Sequence, residues 1–230
     1  FNEIKKEINE FLGFVKIETI FYIPISAMKG DNIANKSGSM DWYKGPTFLE
    51  SIDMLKSRAP DKDKHLIFPV QDVYKTDEKR IVAGRIEAGF IEKGCKIKIL
   101  PGKEITRVNS VERFLEKIDR AYAGQCIGVT TEDAAFISRG DVICLPDREP
   151  LLTDKFCANI FWMAKQDFIK GDRVTIRCAT QETTCTIESI KRIINSSTLE
   201  VIIRGAGERE AIKNLEVGEV IIKTKKPIAI

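Results

Sequence analysis

From Leu66 onward the chain is written in short β-rich runs separated by turns, and this texture limits its fold more than any other feature. Candidate strands run over 81–91, 95–100, 105–111, 125–131 and 142–145. In Cys95-Lys-Ile-Lys-Ile99 apolar residues alternate strictly with lysines, the period of a half-buried strand, and Pro101-Gly102 supplies the following turn. Strands of this kind leave edges of unpaired backbone groups, and an antiparallel barrel removes them by closing the sheet on itself. Pro146-Asp-Arg-Glu-Pro150 punctuates the series, and a second set of strands is expected over 156–163, 173–179, 183–194, 198–203 and 218–224. The chain is therefore read as mainly β, with one antiparallel barrel over 65–147 and another over 151–230. Phe136-Ile-Ser-Arg-Gly-Asp-Val142 and Phe168-Ile-Lys-Gly-Asp-Arg-Val174 resemble each other, over too few residues to establish an internal repeat.

Residues 1–58 have a different texture. Phe1, Ile4, Ile8, Phe11 and Leu12 recur at helical spacing with Lys5, Lys6, Glu7 and Glu10 between them, an amphipathic helix ending near Gly13. Phe21-Tyr-Ile-Pro-Ile25 reads as a short buried strand running into Ser26-Ala-Met-Lys-Gly-Asp-Asn32. Beyond Tyr43-Lys-Gly-Pro46, Thr47 is placed to cap a helix carrying Phe48, Leu49, Ile52 and Leu55, with Glu50 at its third position. Helix, strand, loop and helix in this order form the tail of an α/β domain. Ala59-Pro-Asp-Lys-Asp-Lys64 reads as a hinge-like linker. A start at Phe1, without methionine and within a helical pattern, suggests a piece of a longer protein.

Composition excludes several functions. The 37 basic residues nearly balance 34 acidic ones, so no overall field draws the chain to nucleic acid or anionic lipid. Six cysteines form no CxxC pair and none lies near the single histidine, His65, so no metal site is expected. Their placement in apolar runs such as Val142-Ile-Cys144 fits reduced thiols and a cytoplasmic location. No apolar run is long enough to span a bilayer, and no targeting segment is visible at the amino terminus. With one histidine no Ser/His/Asp or Cys/His set can be assembled, and no catalytic residue is assigned. Arg139-Gly-Asp141 reads as a glycine-bearing turn into the next strand rather than an adhesion motif. Lys223-Thr-Lys-Lys226 reads as a solvated strand end, since no aromatic residues interleave it for nucleic-acid stacking.

The loop Ser26-Ala-Met-Lys-Gly30 follows the expected strand directly, where open α/β sheets place their ligands. Small residues there let backbone N–H groups approach a flat ligand, although a tight strand-to-helix turn would use the same residues. Its continuation is more specific. Gly30-Asp-Asn32, Met40-Asp-Trp-Tyr43 and Gly45-Pro46-Thr-x-Leu49-Glu50 resemble the end of the GTPase domain in the elongation factor 1-alpha and sulfate adenylyltransferase group. The Trp-Tyr-x-Gly-Pro-Thr-x-Leu-Glu form is closer to the large, GTP-hydrolysing subunit of bacterial sulfate adenylyltransferase. Phe68-Pro-Val-Gln71, Ala83-Gly-Arg-Ile86, Ala123-Gly-Gln125, Ile137-Ser-Arg-Gly-Asp-Val142, Trp162-Met163 and Lys226-Pro-Ile-Ala229 extend the resemblance over nearly the whole chain.

The resemblance implies two translation-factor-like barrels after the tail of a GTPase domain. It implies that Ser26, Ala27 and Met28 form the guanine loop, with the Ala27 N–H donating to the guanine carbonyl, Ser26 shaping the loop and Met28 lying near the base. The longer parent would bind GTP, with magnesium held by residues outside this chain. No Gly-x-x-x-x-Gly-Lys-Ser/Thr loop, magnesium-binding aspartate motif or Asn-Lys-x-Asp sequence occurs in the chain. The chain alone is therefore expected to hydrolyse no GTP and to bind none more tightly than about 10 μM, near −7 kcal/mol, as calorimetric titration would measure. The implied partner is the small catalytic subunit, which forms adenosine 5′-phosphosulfate and pyrophosphate from ATP and sulfate, with the barrels as docking and coupling modules. An elongation- or release-factor-type GTPase whose barrels bind transfer RNA or a protein factor is the alternative. Those factors resemble one another through histidine-bearing motifs in the second barrel, and residues 154–230 contain no histidine. A purely structural barrel pair is the third reading.

Overall fold

A computed structural model describes residues 1–56, 64–76, 79–113, 116–133, 136–203 and 210–230. The chain divides into two compact units, Phe1–Ala59 and Pro60–Ile230. The linker expected over 59–64 falls outside the described residues apart from Lys64.

The first unit holds two helices, α1 (Asn2–Phe14) and α2 (Phe48–Asp53). The apolar stripe of α1 forms as its spacing dictates, yet no residue of the helix is buried. Thr47 caps α2 through a capping box: its hydroxyl accepts from the Glu50 N–H at 3.2 Å, and the Glu50 carboxylate accepts from the Thr47 N–H at 2.8 Å. Leu55 lies beyond the helix. Removing the cap leaves orphan donors in a helix of under two turns. Thr47→Ala is accordingly expected to weaken α2 by about 1 kcal/mol, or roughly fivefold faster amide exchange in residues 48–53. The strand expected over Phe21–Ile25 does not form, and none of its residues is buried. No strand among the described residues supplies it with a ladder, and Pro24 lacks an N–H to offer one.

The second unit is all β. Its first part contains β1 (Ile67–Lys75), β2 (Arg80–Arg85), β3 (Phe90–Glu92), β4 (Lys96–Leu100), β5 (Glu104–Arg113), β6 (Glu116–Ile118), β7 (Arg120–Tyr122), β8 (Cys126–Thr131) and β9 (Val142–Cys144). Hydrogen-bonded neighbours run β4-β9-β1-β2-β8-β5, and β5 pairs back to β4, which closes an antiparallel barrel of six strands. The run expected as one strand over 81–91 is two, β2 and β3, because β3 leaves the ring and pairs with β7 in a separate ribbon. In β4, Ile97 and Ile99 fill the barrel, as their alternation with lysines dictates. All three residues of β9 are buried because the strand is covered on both faces. Ile143 enters the barrel core, whereas Val142 and Cys144 join Leu100 and Ala229 in a separate cluster linking the two halves of the unit.

The second part contains β10 (Leu152–Trp162), β11 (Phe168–Ile169), β12 (Arg173–Cys178), β13 (Gln181–Asn195), β14 (Ala211–Ile212) and β15 (Glu216–Ala229). An antiparallel sheet ordered β10-β15-β13-β12 is joined by the ribbon β11-β14, whose Phe168 and Ile212 share a core with Cys185, Ile187, Val220 and Ile222. The Phe168 ring stacks on Trp162 at 4.6 Å between centroids. Gln181 ties the end of β15 to the start of β13, its amide donating to the Ala229 carbonyl and accepting from the Ala229 N–H, both at 2.9 Å.

The strand expected over Thr198–Ile203 is instead a turn. The Asn195 side chain accepts from the N–H groups of Ser197 and Thr198, at 2.8 and 3.1 Å, and only an isolated bridge from Ile194 to Val201 remains.

Burial also sorts the thiols. Cys144 is fully buried, and burial pushes its thiol up to about 11, with Glu149 adding to the rise and Lys98 opposing it. Cys126 and Cys157 are exposed. A disulfide reagent at pH 8 is expected to label these two first in the native protein. Cys144 should react at least about 100-fold more slowly, because so little of it is thiolate; mass spectrometry of the time course reads this order.

Candidate functional site

The Ser26–Gly30 loop is a tight turn. The Ser26 carbonyl accepts from Gly30 at 2.8 Å and from Lys29 at 3.2 Å, while the Ser26 N–H donates to the Asp31 carbonyl at 3.3 Å. Ala27 and Met28 project from the turn, Met28 being completely exposed. The Ala27 N–H has no acceptor among the described residues.

Asn32 holds this turn in place. It is 2% exposed and adopts a left-handed backbone with φ 55°, a conformation asparagine tolerates better than most residues. Its side-chain amide donates to the Pro24 carbonyl at 2.9 Å, and its side-chain oxygen accepts from the Ser37 N–H at 2.8 Å. Its backbone carbonyl takes the Phe48 N–H, also at 2.9 Å, so one residue joins the chain before the turn, the loop after it and the start of α2. The Ser37 hydroxyl in turn donates to Asp31 at 2.7 Å. Gly30-Asp-Asn32 is thus the support of the turn, and Ser26, Ala27 and Met28 are what it presents. The Tyr43 hydroxyl donates to the Pro46 carbonyl at 2.9 Å, and a Cβ on Gly45 would stand 2.4 Å from the Tyr43 hydroxyl, which explains a glycine there.

The second unit contains a polar groove of about 620 Å³ on its barrel. Lys79 binds the Glu112 carboxylate at 2.8 and 2.9 Å, the Ser110 hydroxyl donates to it at 3.1 Å, and Ser110 and Thr130 share a hydrogen bond at 2.7 Å. The Lys79 bond holds the Glu112 carboxyl below its ordinary value. This is a mutually satisfied network: its carboxylate is held by Lys79 and Ser110, and its hydroxyls bond each other and that carboxylate. Sequence reading missed it because Lys79 and Glu112 lie 33 residues apart and meet only where the barrel brings β2 and β5 to either side of β8.

The remaining candidates fall into structural roles. His65 meets Arg148, with Nδ1 and Nη1 3.0 Å apart. Arg139-Gly-Asp141 is knitted to β1: the Gly140 N–H donates to Val70, the Val70 N–H donates to Asp141, and Arg139 Nη1 donates to the Gln71 carbonyl at 2.8 Å. Lys223 of β15 pairs with Asp154 of the neighbouring β10 at 2.6 Å. Among the described residues no three His, Cys, Asp or Glu side chains gather as a metal site, and no helix is long and apolar enough to cross a membrane.

Known proteins share this architecture. Residues 79–144 match the family described as elongation factor Tu domain 2, and residues 155–230 match the GTP-eEF1A C-terminal domain-like family. Elongation factor 1-alpha of Methanopyrus kandleri is 34% identical over 246 residues, covering all of this chain and 57% of that protein. Sulfate adenylyltransferase subunit 1 of Photorhabdus laumondii is 32% identical, covering 83% of this chain and 40% of the relative. The crystal structure of sup35 complexed with GMPPNP shares the fold at a TM-score of 0.66 and 20% identity, over all of this chain and 57% of that one. The chain thus spans roughly half or less of the length of the proteins it matches. Matches to both domain families, together with 34% identity to an elongation factor 1-alpha over the whole of this chain, place the chain in the elongation factor 1-alpha-like superfamily of translation-factor GTPases.

Proposed function

We propose that the chain is part of the GTP-hydrolysing subunit of a sulfate adenylyltransferase and that its two β-domains dock the small catalytic subunit and couple GTP turnover to adenylyl sulfate formation. The observation that carries this reading is the segment Met40–Glu50, whose Trp-Tyr-x-Gly-Pro-Thr-x-Leu-Glu form resembles that subunit more than the elongation factors. Its ordered Tyr43 to Pro46 contact and Thr47 capping box support a fixed role for the string beside the Ser26 turn. The Ala27 N–H, unbonded on an exposed residue, supports the guanine-loop reading, since a carbonyl oxygen is the acceptor it lacks. Coupling needs GTP and GDP states that bind the partner with different free energies, because a ligand shifts an equilibrium only by its differential affinity. Ser26–Met28 would supply guanine recognition, and residues 60–230 the surface that responds. The Methanopyrus relative favours a second reading, an elongation-factor-type GTPase whose β-domains carry transfer RNA.

Biolayer interferometry of the chain separates the two. Binding to the small sulfate adenylyltransferase subunit of the same organism at or below about 10 μM is expected, with none to aminoacyl-tRNA. Binding to aminoacyl-tRNA and not to the small subunit would overturn the proposal.

A further inference from the structure

We propose that the cleft between the two β-domains of residues 60–230 binds a small phosphate-bearing molecule. The cleft has a volume of about 670 Å³, within the roughly 300–1,000 Å³ typical of small-ligand sites. Its walls are the Arg139–Asp141 turn of the barrel, the hairpin between β12 and β13, and the Lys226–Ile228 end of β15. Three cations, Arg139, Arg177 and Lys226, come from these three separate elements and meet only here.

Each arginine is anchored by part of its donor set. Arg139 spends Nη1 on the carbonyl of Gln71, the residue where β1 shifts register against β2, and Arg177 gives Nε to Glu182 at 2.8 Å. The other guanidinium N–H groups of both, and the Lys226 ammonium, have no acceptor among the described residues. Two carboxylates share the cleft, and each is engaged: Glu182 by Arg177, and Asp141 by the Ser138 N–H at 2.8 Å. Guanidinium groups held at one end with their remaining donors free are suited to the several oxygens of a phosphate, which accept in the plane of the fork.

A second observation is independent of charge. Thr180 lines the same cleft, and its hydroxyl oxygen is the one buried side-chain polar atom among the described residues without a hydrogen-bond partner. A buried hydroxyl left without a partner costs free energy, and a small shift of the β12–β13 hairpin would let a ligand oxygen in the cleft satisfy it. The inference stands whether or not the chain belongs to a sulfate adenylyltransferase.

Calorimetric titration of the chain at low salt, with inorganic pyrophosphate in one arm and ADP in another, tests it. Saturable one-to-one binding is expected with Kd below about 1 mM. The pyrophosphate arm alone saturating would mean a bare phosphate group, and ADP binding more tightly would mean a nucleotide. Arg139→Gln and Lys226→Gln should each weaken binding at least about tenfold, and Thr180→Val about threefold or more. Lys191→Gln, an exposed cation outside the cleft, should leave it unchanged. Lys226→Gln alters an exposed side chain, so its effect is read on a folded protein even if Arg139→Gln loosens the barrel. No saturable binding at 10-fold above that limit, or equal weakening by Lys191→Gln, would overturn the proposal.

Discussion

Phe68→Ala is expected to destabilise the barrel by about 3–5 kcal/mol, a large share of the roughly 5–15 kcal/mol that holds a typical domain together. Phe68 is completely buried, and its strand is bonded on both sides, Phe68 standing opposite Ile143 of β9 and Val70 opposite Gly84 of β2. Its ring belongs to a core shared with Val70, Val82, Ile97, Val111, Val129 and Ile143, one from each strand of the ring. A cavity there is bounded by a closed ladder and cannot collapse without breaking hydrogen bonds. For a unit of this size the loss lowers the melting temperature by roughly 6–20 °C. Tyr74→Ala, at the exposed end of the same strand, should cost under about 1 kcal/mol. Equal losses at the two positions, read by thermal unfolding, would contradict the packing described.

Ala27→Pro, placed in the longer protein that carries the phosphate-binding parts, is expected to lower GTP affinity by some 30- to 1,000-fold, about 2–4 kcal/mol. The substitution removes an N–H that has no acceptor among the described residues. It also restricts the backbone of Ser26, whose N–H and carbonyl both hold the turn closed. ATP should respond differently, because its exocyclic amine cannot accept from that N–H, so discrimination between GTP and ATP should shrink. Unfolding of residues 60–230 should be unaffected. Wild-type GTP affinity in this variant, with the β-domains intact, would reduce Ser26-Ala-Met28 to a structural turn.

Much of the fold was legible because its signals are local. The alternation in β4 and the Thr47 to Glu50 box depend on a few neighbouring residues, and both formed. The likeness between 136–142 and 168–174 also has a local cause. Ser138–Asp141 and Ile169–Asp172 are the same turn, with glycine at φ 96° and 92° and the aspartate carboxylate accepting from the first N–H of each. Shared turn chemistry accounts for that likeness.

Signals that needed a partner elsewhere were not legible. Phe21–Ile25 has strand composition without a ladder. At Thr198–Ile203 the β-branched residues outweighed Asn195, whose side chain turns the chain instead. β11 and β14 are two residues each, too short to register as a pattern. For the site, the small residues of the Ser26 turn were visible in the sequence, whereas the clamp made by Asn32 was not, because its partners Pro24, Ser37 and Phe48 are joined only in the folded unit. Arg139, Arg177 and Lys226 likewise converge only once the two β-domains share the cluster of Leu100, Val142, Cys144 and Ala229.

GTP hydrolysis by the longer protein reads the proposed coupling of GTP turnover to adenylyl sulfate formation. The small sulfate adenylyltransferase subunit with ATP and sulfate should accelerate hydrolysis at least about tenfold, or about 1.4 kcal/mol of coupling, while ribosomes and aminoacyl-tRNA should not. Acceleration by ribosomes with aminoacyl-tRNA, and none by the small subunit with its substrates, would rule out that coupling and place the chain with the elongation factors.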